Sequence, residues 1–158
     1  MIKIKKILSS NYNQREKRII KYIIIHYTGM KNQALAVKRL QSKVAKVSTH
    51  YLISKKGVIY QMVDDKNVAW HAGKSRWGQD KNLNKNSIGI ELVNSGNEKF
   101  PLKQMKNLCN LIKYLKNSHK INKNNVLAHS DISPERKIDP GPLFPWNYLI
   151  SRNLTKLR

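Results

Sequence analysis

VLAHSDISPERKIDPGPLFPW, running from Val126 to Trp146, decides how this chain folds, because it sets a histidine, a lysine and an aspartate in one segment interrupted by turn residues. Val126, Leu127 and Ala128 read as a short buried strand that ends by delivering His129. Ser133-Pro134 and Pro140-Gly141-Pro142 keep the following stretch from running on as a helix and turn it back, bringing Asp139 toward His129. Imidazole and carboxylate are zinc ligands, and a catalytic zinc takes three protein ligands and leaves its fourth position to water. The segment therefore asks for one more histidine at a strand exit. Tyr22 to Tyr27, YIIIHY, supplies it: residues with apolar bodies form a buried strand, and His26 comes just before Thr28-Gly29 breaks it. A lone histidine there reads as a hydrogen-bonded core residue. Two histidines with an aspartate, each at the exit of a predicted strand, read as a metal site.

Glu91 needs its own account. It lies inside the apolar strand predicted from Ser87 to Val93, and a carboxylate buried there either loses its charge or finds a partner, an ion pair with a lysine being the plain choice. Lys137 lies two residues before Asp139, so alternation in an extended segment puts both side chains on one side. Taken alone it reads as a solvated lysine.

IIIHYTG (Ile23 to Gly29), VSTHYLI (Val47 to Ile53), AWHAG (Ala69 to Gly73), SIGIELVN (Ser87 to Asn94) and the Val126 segment come in an order that resembles a known family. It is that of the zinc-dependent N-acetylmuramoyl-L-alanine amidases of the AmpD and AmiD type, related in fold to T7-type lysozyme and the peptidoglycan recognition proteins. The blocks cover roughly residues 20 to 150, and GPLFPW looks closer to the AmiD branch. The resemblance implies an α/β fold, a single domain with a central mixed β-sheet flanked by helices. It implies one Zn2+ per chain on His26, His129 and Asp139, and hydrolysis of the amide joining N-acetylmuramic acid, or its anhydro form, to L-alanine. Bacterial cell-wall degradation and peptidoglycan recycling both use that reaction.

The same resemblance gives Glu91 the role of catalytic acid/base, and Lys137, in its K-x-D-P setting, that of stabilising the oxyanion on the attacked amide. It makes His71, in AWHAG, a substrate-binding histidine on the cleft rim. Tyr27 and Trp70, and with them Trp77, are candidates for stacking on sugar faces, with core or rim packing as the alternative. His50 is either a packed structural residue or a substrate contact. His119 reads as a helix-end charge or a surface residue. Arg136 stays outside the catalytic set. Loss of a metal ligand would turn the same fold into a non-catalytic peptidoglycan-binding module, but here every position of the catalytic pattern is filled.

The length, 158 residues, suits one domain with a real core. Residues 1–20 read as a basic lead-in of weak periodicity and 21–158 as the amidase domain. Lysine and arginine number 31 against nine acidic residues, a net charge of +22. Such an excess attracts polyanions, and nucleic acid is the default partner of a basic chain. Here the basic residues are scattered, with no run interleaved by aromatics, so nucleic acid is not expected. The charge is read mostly as a solvated surface, which leaves an anionic envelope surface open as a partner beside peptidoglycan or muropeptide. A monomer is expected.

The N-terminus has no apolar run of about 7 to 15 residues before a small-residue cleavage site. No transmembrane segment is predicted, and the cytoplasm is the expected location. A chain trimmed of its leader would read identically and belong to the periplasm or cell envelope. Cys109, the only cysteine, reads as a buried inert thiol.

Further elements follow from periodicity. Asn32 should cap a helix with Ala36, Val37, Leu40 and Val44 on one face. Ser48 to Ser54 and Val58 to Val63 should form a hairpin about Lys55-Lys56-Gly57, followed by a short element at Val68 to Trp70. His71 to Asn86 reads as a loop. Pro101 should open a helix running to His119 on a stripe of Leu102, Met105, Leu108, Cys109, Ile112 and Leu115. Trp146 to Ile150 starts a closing helical turn. Strands alternating with helices predict a mixed sheet covered by helices.

Overall fold

Ile23, Ile24 and Ile25 are completely buried, as a strand in the middle of a sheet covered on both faces requires. The fold, taken from a computed structural model that describes residues 2–16 and 19–157, places that strand, β3 (Tyr22–Tyr27), inside a mixed sheet, one strand in from its edge. Its other strands are β1 (Ile4–Lys6), β4 (Tyr51–Ile53), β5 (Ile59–Gln61), β9 (Ser87–Leu92) and β10 (Val126–Ala128). Between them come β2 (Tyr12–Gln14), α1 (Gln33–Gln41), β6 (Asn67–Ala69), β7 (Arg76–Trp77), β8 (Asp80–Lys81) and α2 (Leu102–His119), and α3 (His129–Ile132) and α4 (Trp146–Ile150) close the chain. Among the described residues the sheet order is β1-β5-β4-β9-β3-β10, and only the β4–β5 pair is antiparallel. The predicted mixed sheet flanked by helices, in one domain, is borne out.

Parallel pairing is what gathers the chemistry. β3 pairs with β9 so that His26 stands opposite Glu91, and with β10 so that Ala128 stands opposite Ile25 and His129 follows next to His26. The three groups meet at the carboxyl ends of the strands, where ligands bind in open α/β sheets. Strand alternation then sorts the faces. Ile23, Ile25, Ile88, Ile90 and Leu92 pack with Met105, Leu108, Ile112 and Leu115 of α2. Tyr22, Ile24 and Leu127 face the other way, against Ala72, Leu83 and Ile132, and beside them Leu52 and Val93 meet Ala36 and Leu40 of α1. His26 and Glu91 point to this second face, away from α2.

Several boundaries differ from those expected. Asn32 does cap α1, its side chain accepting from the Leu35 N–H at 3.0 Å, but the helix stops at Gln41 and Val44 is 91% exposed. Ser42 takes extended backbone there and gives its N–H to the Arg39 carbonyl. The stretch read as one loop, residues 71–86, holds the β7–β8 ribbon, anchored where Asp80 accepts from the Tyr22 hydroxyl at 2.6 Å. β10 ends at Ala128, and His129 opens one turn of helix in a segment expected to hold none. His119 does more than charge a helix end: its Nε2 lies 2.7 Å from Asp65 Oδ2 and ties α2 to the loop after β5.

Residues 1–20, read as a lead-in, carry β1 along the edge of the main sheet and β2 paired antiparallel with β6. Met1, Lys17 and Arg18 of that stretch, and Arg158, lie outside the described residues. Arg15 follows β2 and is 7% exposed. Its guanidinium donates to four backbone carbonyls: Asp65 at 3.2 Å, Lys85 at 2.6 Å, Asn67 at 2.8 Å and Ser87 at 3.0 Å. Removing it would take a donor from each of these buried or part-buried acceptors, which costs more than a surface substitution. Arg15→Met is expected to lower stability by about 2–4 kcal/mol, read as a shift in the urea midpoint; an unshifted midpoint would show the clamp to be inert.

Candidate metal centre

His26 Nδ1, His129 Nδ1 and Asp139 Oδ2 form a small triangle with sides of 2.9, 3.0 and 3.0 Å. All three residues are buried. β3 carries His26, α3 begins with His129, and the turn past Ser133-Pro134 returns Asp139, whose carbonyl accepts from the Ser130 N–H at 3.0 Å. The structure brings together the three residues that the sequence singled out.

Hydrogen-bond direction around the triangle decides what can occupy it. His129 Nε2 lies 3.1 Å from the Ala72 carbonyl, which can only accept, so Nε2 carries a proton, and the neutral ring, the form that ligates a metal, has its lone pair on Nδ1. On the other side, the Ser87 hydroxyl gives its single proton to the Leu83 carbonyl at 2.5 Å and must accept from His71 Nε2–H, 3.1 Å away. Burial, with the neighbouring imidazoles adding to it, holds His71 well below its ordinary pKa, so the ring is neutral and its Nδ1 is an acceptor. His26 Nε2, 3.0 Å from that nitrogen, is therefore the donor. Burial likewise pushes His26 down to about 4, so it too is neutral and its Nδ1 is bare. With both rings neutral, two lone pairs and a carboxylate oxygen face one another across 2.9–3.0 Å. That arrangement calls for a cation. Zinc bonds of about 2.0–2.2 Å in a tetrahedron space ligands about 3.3–3.5 Å apart, so the triangle fits after opening by a few tenths of an ångström.

Glu91 stands beside this triangle with one oxygen, Oε2, sealed from solvent and without a hydrogen-bond partner among the described residues. Burial first, and the Asp139 charge second, push its carboxyl up to about 8, against the opposing pull of Lys137 and Arg39. Lys137 lines the same cleft, and its ammonium makes no hydrogen bond or ion pair among the described residues. The cleft holds about 510 Å³ and is walled by Tyr27, Met30, Arg39, Trp70 and Ile138 around the polar floor.

The remaining candidates fall in different places. Tyr27 lies in the cleft wall with its ring under two glycines; a Cβ at Gly96 or Gly141 would come within 3.1 Å of it. Trp70 is on the rim, its indole N–H held by Asn13 Oδ1 at 2.6 Å. His71 reaches the cleft floor with both ring nitrogens engaged inside the protein. Trp77 packs against the Tyr22 and Ile24 cluster, away from the cleft. His50 is a packed structural residue: fully buried, it accepts the Gly89 N–H on Nδ1 at 3.0 Å.

Ser87, Asn84 and Arg39 escaped the sequence reading. Ser87 in an otherwise apolar strand was the one legible signal; Arg39 looked like any basic residue on a helix. Arg136 supports the centre from outside, giving Nη2–H to the Ala72 carbonyl at 2.7 Å.

Residues 15–142 match the family profile described as N-acetylmuramoyl-L-alanine amidase. N-acetylmuramoyl-L-alanine amidase AmiD of Escherichia coli is 39% identical over 151 residues, which span 85% of this chain and 54% of that protein. The 1,6-anhydro-N-acetylmuramyl-L-alanine amidase AmpD of Haemophilus influenzae is 41% identical over 107 residues, 67% of this chain and 58% of that protein. The chain thus spans a little over half the length of these curated relatives. Among solved structures, a selenomethionine AmpD derivative superposes with a TM-score of 0.86 at 27% identity, covering 99% of this chain and 96% of that one. AmiD from E. coli, in complex with the substrate anhydro-N-acetylmuramic acid-L-Ala-D-gamma-Glu-L-Lys, gives 0.82 at 38% identity, over 89% of this chain and 59% of that one.

Proposed function

Because this chain belongs to the N-acetylmuramoyl-L-alanine amidase family, we propose that it is a zinc-dependent amidohydrolase that cuts the amide between N-acetylmuramic acid, or its anhydro form, and the first L-alanine of the stem peptide. The observation that carries the metal is the meeting of two Nδ1 atoms with Asp139 Oδ2 at 2.9–3.0 Å, all three residues buried. Imidazole and carboxylate donors in this number suit zinc. Bound there, zinc supplies a Lewis acid that polarises the scissile carbonyl and acidifies the attacking water.

The chain's own groups do the rest. Glu91 accepts the proton of the attacking water and hands it to the nitrogen of L-alanine as the C–N bond breaks, leaving a lactyl carboxylate and a free peptide. A carboxyl pushed up to about 8 can serve in both directions near neutral pH. Lys137 brings an uncommitted ammonium to the same cleft, where it stabilises the oxyanion formed on the attacked carbonyl. Tyr27 and Trp70 offer ring faces to the sugar, and His71 a ring edge at the floor. A muropeptide as substrate is supported by the fragment seen in AmiD, and the charge of +22 favours approach to anionic wall polymers.

Mass spectrometry of muropeptides incubated with the protein as purified, after chelation and after zinc is returned tests this directly. Intact stem peptide beginning with L-alanine is expected in the first and third samples and absent from the second. Muropeptides bound but uncut in all three would mark a recognition module.

A further inference from the structure

We propose that His71, backed by the Ser87 hydroxyl, is the residue that sets the tautomer of His26 and keeps its Nδ1 lone pair turned onto the metal centre. The two histidine ligands are oriented by different means. His129 has a backbone carbonyl, that of Ala72, to receive its Nε2–H, and a carbonyl leaves no choice of tautomer. His26 has another imidazole in that position, 3.0 Å away, and an imidazole can either donate or accept. Ser87 removes the ambiguity. Its proton is committed to the Leu83 carbonyl, so it can only accept from His71 Nε2–H, and the direction is passed on to His26.

The ring of His71 is held for this task. It meets His26 edge-on, with centroids 5.1 Å apart and planes at 80°. It lies so close to β9 that a Cβ at Gly89 would come 2.5 Å from its Cγ, so only glycine leaves room there. Its backbone is fixed as well: Asn84 Oδ1 accepts from the N–H of His71 at 3.1 Å and of Ala72 at 2.7 Å. One side chain thus clamps two consecutive residues, and each of these orients one histidine ligand. His71 in this role is a positioning residue that acts through His26.

The inference rests on the metal-dependent reading of the site, and its test keeps the two apart. Zinc affinity of the full chain is measured by competition with a chromogenic chelator for the unsubstituted protein, His71→Leu, His71→Asn and Ser87→Ala, and the absorption spectrum of the cobalt(II) form is recorded for each. His71→Leu is expected to bind zinc about 10- to 100-fold more weakly, the usual cost of losing a group that orients a ligand. His71→Asn places an amide oxygen where Nδ1 stands and should recover most of that loss. Ser87→Ala leaves the ring in place but frees its tautomer, and should weaken binding several-fold with an altered cobalt spectrum. If His71→Leu does not fold, Ser87→Ala decides: wild-type affinity and spectrum there overturn the inference. Equal losses in His71→Leu and His71→Asn also overturn it, since ring packing alone would then explain both. If the unsubstituted chain binds no zinc, the metal reading falls first. If it binds zinc and His71→Leu binds as tightly, the inference alone falls.

Discussion

His129→Ala is expected to reduce release of stem peptide from muropeptides to the uncatalysed background and to leave purified protein without stoichiometric zinc. Alanine takes away one corner of the 2.9–3.0 Å triangle, and His26 Nδ1 and Asp139 Oδ2 remain as two donors where a catalytic zinc needs three. Collapse of the surroundings would not explain the loss. The Ala72 carbonyl that accepted from His129 still accepts from Arg136 at 2.7 Å, and the turn bearing Asp139 keeps its Ser130–Asp139 backbone bond. Unliganded, the three electron-rich atoms repel, so the metal-free variant should unfold at a urea concentration close to that of the metal-free parent. Metal content by elemental analysis, with product measured by mass spectrometry on the same preparation, checks the prediction. Turnover at the parent rate in His129→Ala would remove the centre from the mechanism.

What could be read from the chain and what could not follows from the range of the interactions. His26, His129 and Glu91 were legible because a polar side chain ending or interrupting a run such as YIII, VLA or SIGI violates the local hydrophobic pattern, and each such violation asks for a chemical reason. Asp139 was legible because Ser133-Pro134 before it and Pro140-Gly141-Pro142 after it force the turn. α2 was legible because Met105, Leu108, Cys109, Ile112 and Leu115 keep one buried stripe along the helix, although Leu102, expected at the head of that stripe, is 68% exposed. β1 and β2 were not, since each has three residues: those of β2 are all exposed, and the Ile2-Lys3-Ile4-Lys5 alternation that sets Ile2 and Ile4 against the core is too short to stand out in a basic stretch. The one-turn helix at His129 escaped for the same reason: four residues carry no period. Arg15 is the clearest case of information absent from its neighbourhood. Its partners lie at residues 65, 67, 85 and 87, and nothing near position 15 announces that four distant carbonyls converge there. The proton order from Ser87 through His71 to His26 is of this kind too. Each residue is visible in the sequence, but the direction of the bonds depends on the Leu83 carbonyl being on hand for the Ser87 hydroxyl.

Glu91→Gln is expected to lower turnover by about 10²- to 10⁴-fold, the scale of a lost general acid/base, while zinc content stays at the parent value. Glutamine keeps the shape and removes the proton exchange, so a fall in rate without a fall in metal separates Glu91 from the ligands. The same variant has a signature that needs no substrate. In the metal-free protein, burial first and the Asp139 charge second push the Glu91 carboxyl from its ordinary 4.5 up to about 8. Between those values the folded chain holds a proton that the unfolded chain has released. The contribution of Glu91 to stability is therefore complete below about pH 4.5 and is lost as pH rises through about 8. Urea unfolding of the chelated parent at several pH values across that window should show stability falling toward the alkaline end. Glu91→Gln has nothing to titrate there and should show a flatter profile. A cation at the triangle favours the ionised carboxylate, so the acid limb of activity in the zinc-loaded enzyme belongs at lower pH than the stability change in the metal-free chain. Parallel stability profiles for parent and variant would mean that the carboxyl does not hold its proton at neutral pH, and Glu91 would lose the property that suits it to move one.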